Sequence, residues 1–174
     1  MEERPAAERR VAPPYVAGER EMLVSWLDWH RETLAVKCAG LPEARLRERV
    51  AAPSTLSLLG LVRHMAEVER AWFRRTLAGE DAPPLYYGPD DPDGDFDHVD
   101  TASVSEAFAA WRAEIEHARR IVAAQPDLEV TGVNRRTGAT VSLRWILVHM
   151  IEEYARHNGH ADILRERIDG STGV

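Results

Sequence analysis

Val148-His-Met-Ile-Glu-Glu153-Tyr-Ala-Arg-His157-Asn-Gly-His160-Ala-Asp162 is the stretch on which the reading of the whole chain turns. His149, Glu153, His157 and His160 follow one another at steps of four, four and three residues. At roughly 100° per residue those steps hold all four side chains within about 80° of arc, so the segment is expected to be helical. Leu143, Leu147, Met150, Tyr154, Ala161 and Leu164 form an apolar stripe on the same helix. Measured from that stripe, His157 falls about 40° away and Glu153 about 80° away. His157 is thus expected inside the buried sector and Glu153 on its margin, with His149 and His160 nearer solvent. Ser142 is the expected N-cap, and the helix is expected to run to about Ile168 before Gly170.

Three more helices are expected upstream. From Gly18 to about Cys38, Met22, Leu23, Trp26, Leu27, His30, Thr33 and Leu34 recur at three- and four-residue steps, and Gly40 and Pro42 end the pattern. A second helix is expected to start at Ser54 or Thr55 and to close at Gly79, with Leu58, Leu61, Val62, Met65 and Trp72 as its buried stripe. Ser103 and Glu106 make a capping box for a third, whose stripe is Phe108, Trp111, Ile115, Ala118 and Val122. Between it and the last helix, 129–133 and 139–141 are β-prone pieces around Arg135–Gly138 and predict a small hairpin. The expected fold class is all-α, an antiparallel four-helix bundle with one long crossover loop at 79–102. Residues 1–17 are expected to be an irregular lead-in and 18–174 the bundle domain.

Composition narrows the function. The chain has 174 residues, 44% apolar and 29% charged, which suits one soluble domain. A net charge of -7 argues against phosphate-driven nucleic-acid binding. No apolar run of about 18 residues exists, so no membrane span is expected. The charged, proline-containing start lacks the apolar core of a signal peptide, and Cys38 is the only cysteine, so the cytoplasm is the expected compartment. Lys37 is the only lysine among the 22 basic residues, a skew typical of a GC-rich coding genome.

The chemistry is expected on the last helix. A carboxylate and an imidazole beside a buried face are costly without compensation, and a metal supplies it. Glu153 and His157, one turn apart, can reach a common point. His64, at mid-length of the second helix and on the flank of its stripe, is the best third ligand. Spacing alone does not separate this from a surface Glu–His pair at i, i+4. Other features are weaker. Asp91, Asp93, Asp95 and Asp97 suggest calcium, but such a loop needs glycine directly after its third ligand, and Gly94 comes too early; a solvated loop is expected. Glu114 and His117 form half of a di-iron motif but lie off their helix's stripe, with no second copy. His98 is expected in solvent and Cys38 in packing. His30 faces the core side of the first helix and is a candidate for lining the same cavity.

Two stretches, Leu59-Gly-Leu-Val-Arg-His64-Met-Ala-Glu-Val-Glu69-Arg-Ala-Trp72-Phe73 and residues 148–162, resemble the second and final helices of the DinB-like superfamily. The resemblance extends from about residue 18 to 168 and is strongest to its actinobacterial branch. Many members carry one histidine on the second helix and an His–x3–His pair on the last. Glu153 departs from that pattern and matches the mycothiol-dependent maleylpyruvate isomerase branch. The resemblance therefore implies a metal held by His64, Glu153 and His157, usually zinc, with nickel as another possibility. It leaves His160, where many relatives have glutamine, outside the ligand set. It further implies a low-molecular-weight thiol, mycothiol first among them, activated as thiolate against a small electrophile. Arg135 and Arg136 are candidates for meeting carboxylates of thiol or substrate, and His30 for handling protons. Bundles of this kind often pair as homodimers. The alternative is a non-enzymatic metal-binding bundle or a metal-dependent hydrolase.

Overall fold

Serine side chains start three of the four long helices. Ser57 Oγ accepts a hydrogen bond from Gly60 N at 3.1 Å, Ser103 Oγ from Glu106 N at 3.3 Å and Ser142 Oγ from Trp145 N at 3.2 Å. Each satisfies an amide that the first helical turn would otherwise leave unpaired. The computed structural model describes residues 10–173. The part of the irregular lead-in at 1–9 lies outside the described residues.

The chain is mostly helical, with one small two-stranded sheet. Helix α1 spans Glu19–Cys38, α2 Glu43–Leu46, α3 Leu58–Glu69, α4 Gly94–Asp97, α5 Val104–Ala124 and α6 Leu143–Asp169. Strands β1, Thr131–Val133, and β2, Thr140–Ser142, pair antiparallel between α5 and α6, where the hairpin was expected. Gly170, with φ of 80°, closes α6 in the left-handed conformation that glycine adopts freely. α1 packs mainly on α6, and α3 packs on α5 and α6. One apolar cluster fills the space between them, with Leu27, Leu34, Met65, Phe73, Trp111, Leu147, Met150 and Tyr154 all buried.

The second helix closes at Gly79 as expected, with φ of 67° there, but differs from its expectation at its start and in its last two turns. It starts at Leu58 rather than near Ser54, because Ser54 Oγ accepts from Leu56 N at 3.2 Å within a loop and Ser57 takes the capping role. Past Glu69 it continues as a π-helical segment, Arg70–Leu77. There Ala78 N bonds back five residues to Phe73 O at 3.0 Å and Thr76 Oγ1 to Ala71 O at 2.9 Å. Such wide turns gather at functional sites. The hairpin lies directly on this segment: a side chain at Gly132 would overlap the Thr76 carbonyl.

A polar network crosses the core. Arg31 on α1 forks onto Glu69 at the end of α3, with Nε to Oε1 at 2.8 Å and Nη2 to Oε2 at 2.7 Å. Tyr154 on α6 donates its hydroxyl to the same carboxylate at 2.8 Å, and Trp111 on α5 donates Nε1–H to Tyr154 at 2.8 Å. All four side chains are buried, so one residue from each long helix meets in a satisfied chain. Arg31 was absent from the expected core stripe of α1, and Trp26, which was in it, is exposed. The guanidinium goes inside because Glu69 is there to pair with it.

The 79–102 connection is not uniformly solvated as expected. Ala82, Gly94, Asp95 and Val99 are buried, and α4 packs against α3. Arg63 draws it in by donating Nε to Asp95 O and Nη2 to Gly94 O, each at 2.9 Å, while its guanidinium lies 3.9 Å from the Tyr86 ring centre. Glu67 accepts from the Leu85 and Tyr86 amides at 2.5 and 2.6 Å. Glu114, expected off the apolar stripe of α5, is also buried and accepts from Arg70 at 2.5 Å and Arg74 at 3.1 Å. Its neighbour His117 pairs with Glu80 at 3.0 Å.

Candidate metal centre

His64 projects from α3, and Glu153 and His157 from α6, one turn apart. The fold brings the three together: one ligand-type atom of each lies within 4.8 Å of the others. The His64 and His157 rings meet edge to face with centroids 4.8 Å apart, and His157 Nε2 lies 3.6 Å from Glu153 Oε2. His157 is buried, while Glu153 and His64 are half-buried, as the helical phase of each predicted.

The hydrogen bonds around the cluster decide which ring atoms are free. Asp95 Oδ2 sits 2.7 Å from His64 Nδ1, so the carboxylate accepts Nδ1–H and the lone pair falls on Nε2. Asp95 is itself held by its Oδ1 accepting from Phe96 N at 3.1 Å. The Phe96 ring stacks on the other side of His64, 5.1 Å between centroids. His157 Nδ1 lies 3.3 Å from His160 Nδ1, which leaves Nε2 on the Glu153 side. Burial, reinforced by the positive potential of His64, His160 and Arg156, pushes His157 down to about 3. A neutral imidazole at pH 7 forms no ion pair with Glu153, so the surface-pair reading of this spacing loses its basis. Two imidazole nitrogens and a carboxylate, with an acceptor behind one of the rings, form a donor set that suits zinc. The residues fit a divalent cation.

A second group, His149, Glu152 and Glu153, also clusters, but on one helix and closer to solvent. There His149 packs against Trp145 at 4.9 Å and Trp72 at 4.7 Å.

His64 of the cluster also lines a cavity of about 940 Å³, large enough for a small-molecule site. His64, Trp72, Arg75, Asp95, Arg135 and Arg136 are among its lining residues. Arg135 and Arg136, singled out from sequence, therefore share a cavity with His64. Arg135 donates Nη2–H to Gly79 O at 2.7 Å across the hairpin contact. His30 does not line this cavity. It lies beside Trp26, and Asn158 donates its amide to the His30 carbonyl at 3.0 Å. Cys38 is buried, and burial drives its thiol up to about 12, in keeping with a packing role. His98 is exposed and sits 2.7 Å from Asp91.

Two cavity residues escaped the sequence reading. Asp95 is one acid among four at alternate positions, and only the apolar Phe96 and Val99 around it signal a packed segment. Arg75 carried no signal, because its direction depends on the π-helical turn.

Fold and site together define a class: small helical proteins in which His, Glu and His converge from two helices beside a cavity that one of the histidines lines. Within it, the chain belongs to the mycothiol S-transferase family, whose model it matches over residues 22–170. This is a DinB-like family, in agreement with the resemblance of the two helices, and it gives the chain a mycothiol-related transferase role. No curated relative matches the chain.

Proposed function

We propose that the protein is a metal-dependent mycothiol S-transferase, an antiparallel four-helix bundle that holds zinc through His64, Glu153 and His157. The observation that carries the reading is the convergence of His64, Glu153 and His157 within 4.8 Å, with His64 Nδ1 engaged by Asp95 at 2.7 Å so that its Nε2 is the nitrogen left to bind. A divalent cation bound there supplies the positive charge that lets a thiol lose its proton near neutral pH. Asp95 fixes the His64 tautomer and raises its basicity as a ligand. Burial keeps His157 neutral and so able to donate its lone pair. Three protein ligands would be fewer than zinc takes in a structural site, and a bound cation would then have room for a thiol.

The transfer forms one carbon–sulfur bond: at a halide-type electrophile the carbon–halogen bond breaks, the halide leaves and the thiol proton goes to solvent, and at an activated alkene the C=C π bond opens and the proton is returned to the neighbouring carbon. Trp72 and Phe96 provide apolar walls that limit water beside the reacting centre. Cys38 takes no part, since its thiol is buried and protonated. His30 lies outside the cavity wall, so proton movement is assigned to solvent.

The test uses full-length protein loaded with zinc, a bimane-type electrophile, and mycothiol or a surrogate thiol. Thiol-dependent conjugation well above the uncatalysed rate is expected, with bound zinc near one per chain in the wild type and lost in His157→Ala. Conjugation no faster than the blank across several thiols would overturn the transferase reading. Equal zinc in the two proteins would overturn the ligand set.

A further inference from the structure

Arg75 follows His64 by eleven positions, its guanidinium reaches back to 3.5 Å from Glu67, and the Arg75 and His64 side chains line the same cavity. Arg135 and Arg136 join Arg75 in the lining, because the hairpin rests on the π-helical segment that carries it. A protein of net charge -7 thus places three guanidinium groups in one wall of its cavity.

The carboxylates that share the cavity, Glu67, Asp93 and Asp95, offset this charge only in part, with buried Glu67 paired to Arg75. Asp95 is engaged with His64 and the Phe96 amide. Glu67 Oε1 accepts from the Leu85 and Tyr86 amides, and its Oε2 lies 3.5 Å from Arg75 Nη2, at the limit of a hydrogen bond. Asp93 is exposed on the loop. Tyr87 Oη accepts from Arg75 Nη1 at 2.9 Å and steadies the side chain. Arg75 Nε is buried and has no hydrogen-bond partner. The Arg136 side chain makes no hydrogen bond or ion pair among the described residues. A buried guanidinium N–H left unpaired is costly, and a bound anion would pair it.

We propose that Arg75, assisted by Arg136, forms an anion-binding subsite that selects an electrophile bearing a carboxylate. The assignment to the electrophile rests on the S-transfer reading: mycothiol has its cysteine carboxyl closed as an amide and brings no carboxylate of its own.

Binding tests the subsite without turnover. Zinc-loaded full-length protein is titrated calorimetrically with unreactive succinimidohexanoate and with its methyl ester. The acid is expected to bind about tenfold tighter than the ester, as one charge-assisted contact allows. Arg75→Met should bring the acid down to the ester's affinity in protein that still melts cooperatively, at a lower temperature because buried Glu67 loses its partner, and Arg75→Lys should keep part of the preference. Equal binding of acid and ester by the wild type, no binding of either, or an undiminished preference in folded Arg75→Met would each overturn the subsite. Conjugation of the matching maleimidohexanoate and its ester reports on the transfer separately. A binding preference without thiol-dependent turnover would defeat the transferase and leave the subsite standing. Turnover indifferent to the carboxylate, with equal binding, would defeat the subsite and leave the transferase standing.

Discussion

His64 meets Glu153 and His157 with only one ring nitrogen free, because Asp95 engages the other. Such a partner orients its histidine, and losing one commonly weakens metal binding about 10–100-fold. Asp95→Ala is therefore expected to lower zinc affinity by that factor, read by competition with a chromophoric chelator; unchanged affinity would remove Asp95 from the site. Cys38 shows the opposite kind of residue, buried with no polar role. Its thiol should resist alkylation in native protein at pH 8 and react after denaturation. With the folded value up to about 12 and the ordinary value near 9, the unfolded chain loses this proton first as pH rises. Stability contributed by the buried thiol is thus whole below pH 9 and falls between 9 and 12. By pH 10.5 the wild type should have lost about 2 kcal/mol more than Cys38→Ala, measured by urea unfolding at pH 8 and 10.5.

Among the elements, the four long helices are joined by polar contacts as well as by apolar ones. Arg31, Glu69, Tyr154 and Trp111 contribute one side chain each, and the Arg31–Glu69 fork is wholly buried. Removing one partner of a buried pair leaves the other charged and unsolvated, at a cost of about 3–5 kcal/mol. Glu69→Ala should lose about that much in denaturant unfolding, and more than Leu-to-Ala changes at partly exposed sites. A loss under about 1 kcal/mol would mean that water reaches Arg31. The network also sits at the junction where α3 passes into its π-helical turn. That turn swings Arg75 into the cavity wall and supplies the surface on which the hairpin rests. A regular helical phase extrapolated from Leu58 does not foresee either outcome.

At the scale of the whole molecule, the cluster joins α3 to α6, so a bound cation would tie together two helices distant in sequence. A ligand that binds only the folded state stabilises it, by about 2.7 kcal/mol at a hundred times its dissociation constant. Zinc should accordingly raise the melting temperature of the wild type by several degrees and that of His157→Ala by much less. Identical shifts would place the metal elsewhere. No described helix is long and apolar enough to cross a membrane, in line with the absence of long apolar runs.

Sequence periodicity by itself determined the four long helices, the hairpin between the last two, and the pairing of Glu153 with His157. These are local properties, set by side chains three or four residues apart and by serine caps and glycine stops. Both helix motifs also carried the family resemblance. The tertiary structure decided what depends on contacts between distant segments. Asp95 is an ordinary acid in an acidic run until Arg63 draws its loop onto α3 and sets it against His64. Glu114 and Arg31 look like surface residues until partners across the core pair with them. Arg75 enters the cavity only through a widened helical turn. Each of these charges is buried because a specific partner offsets its desolvation, and no pattern within one segment encodes a partner that lies in another.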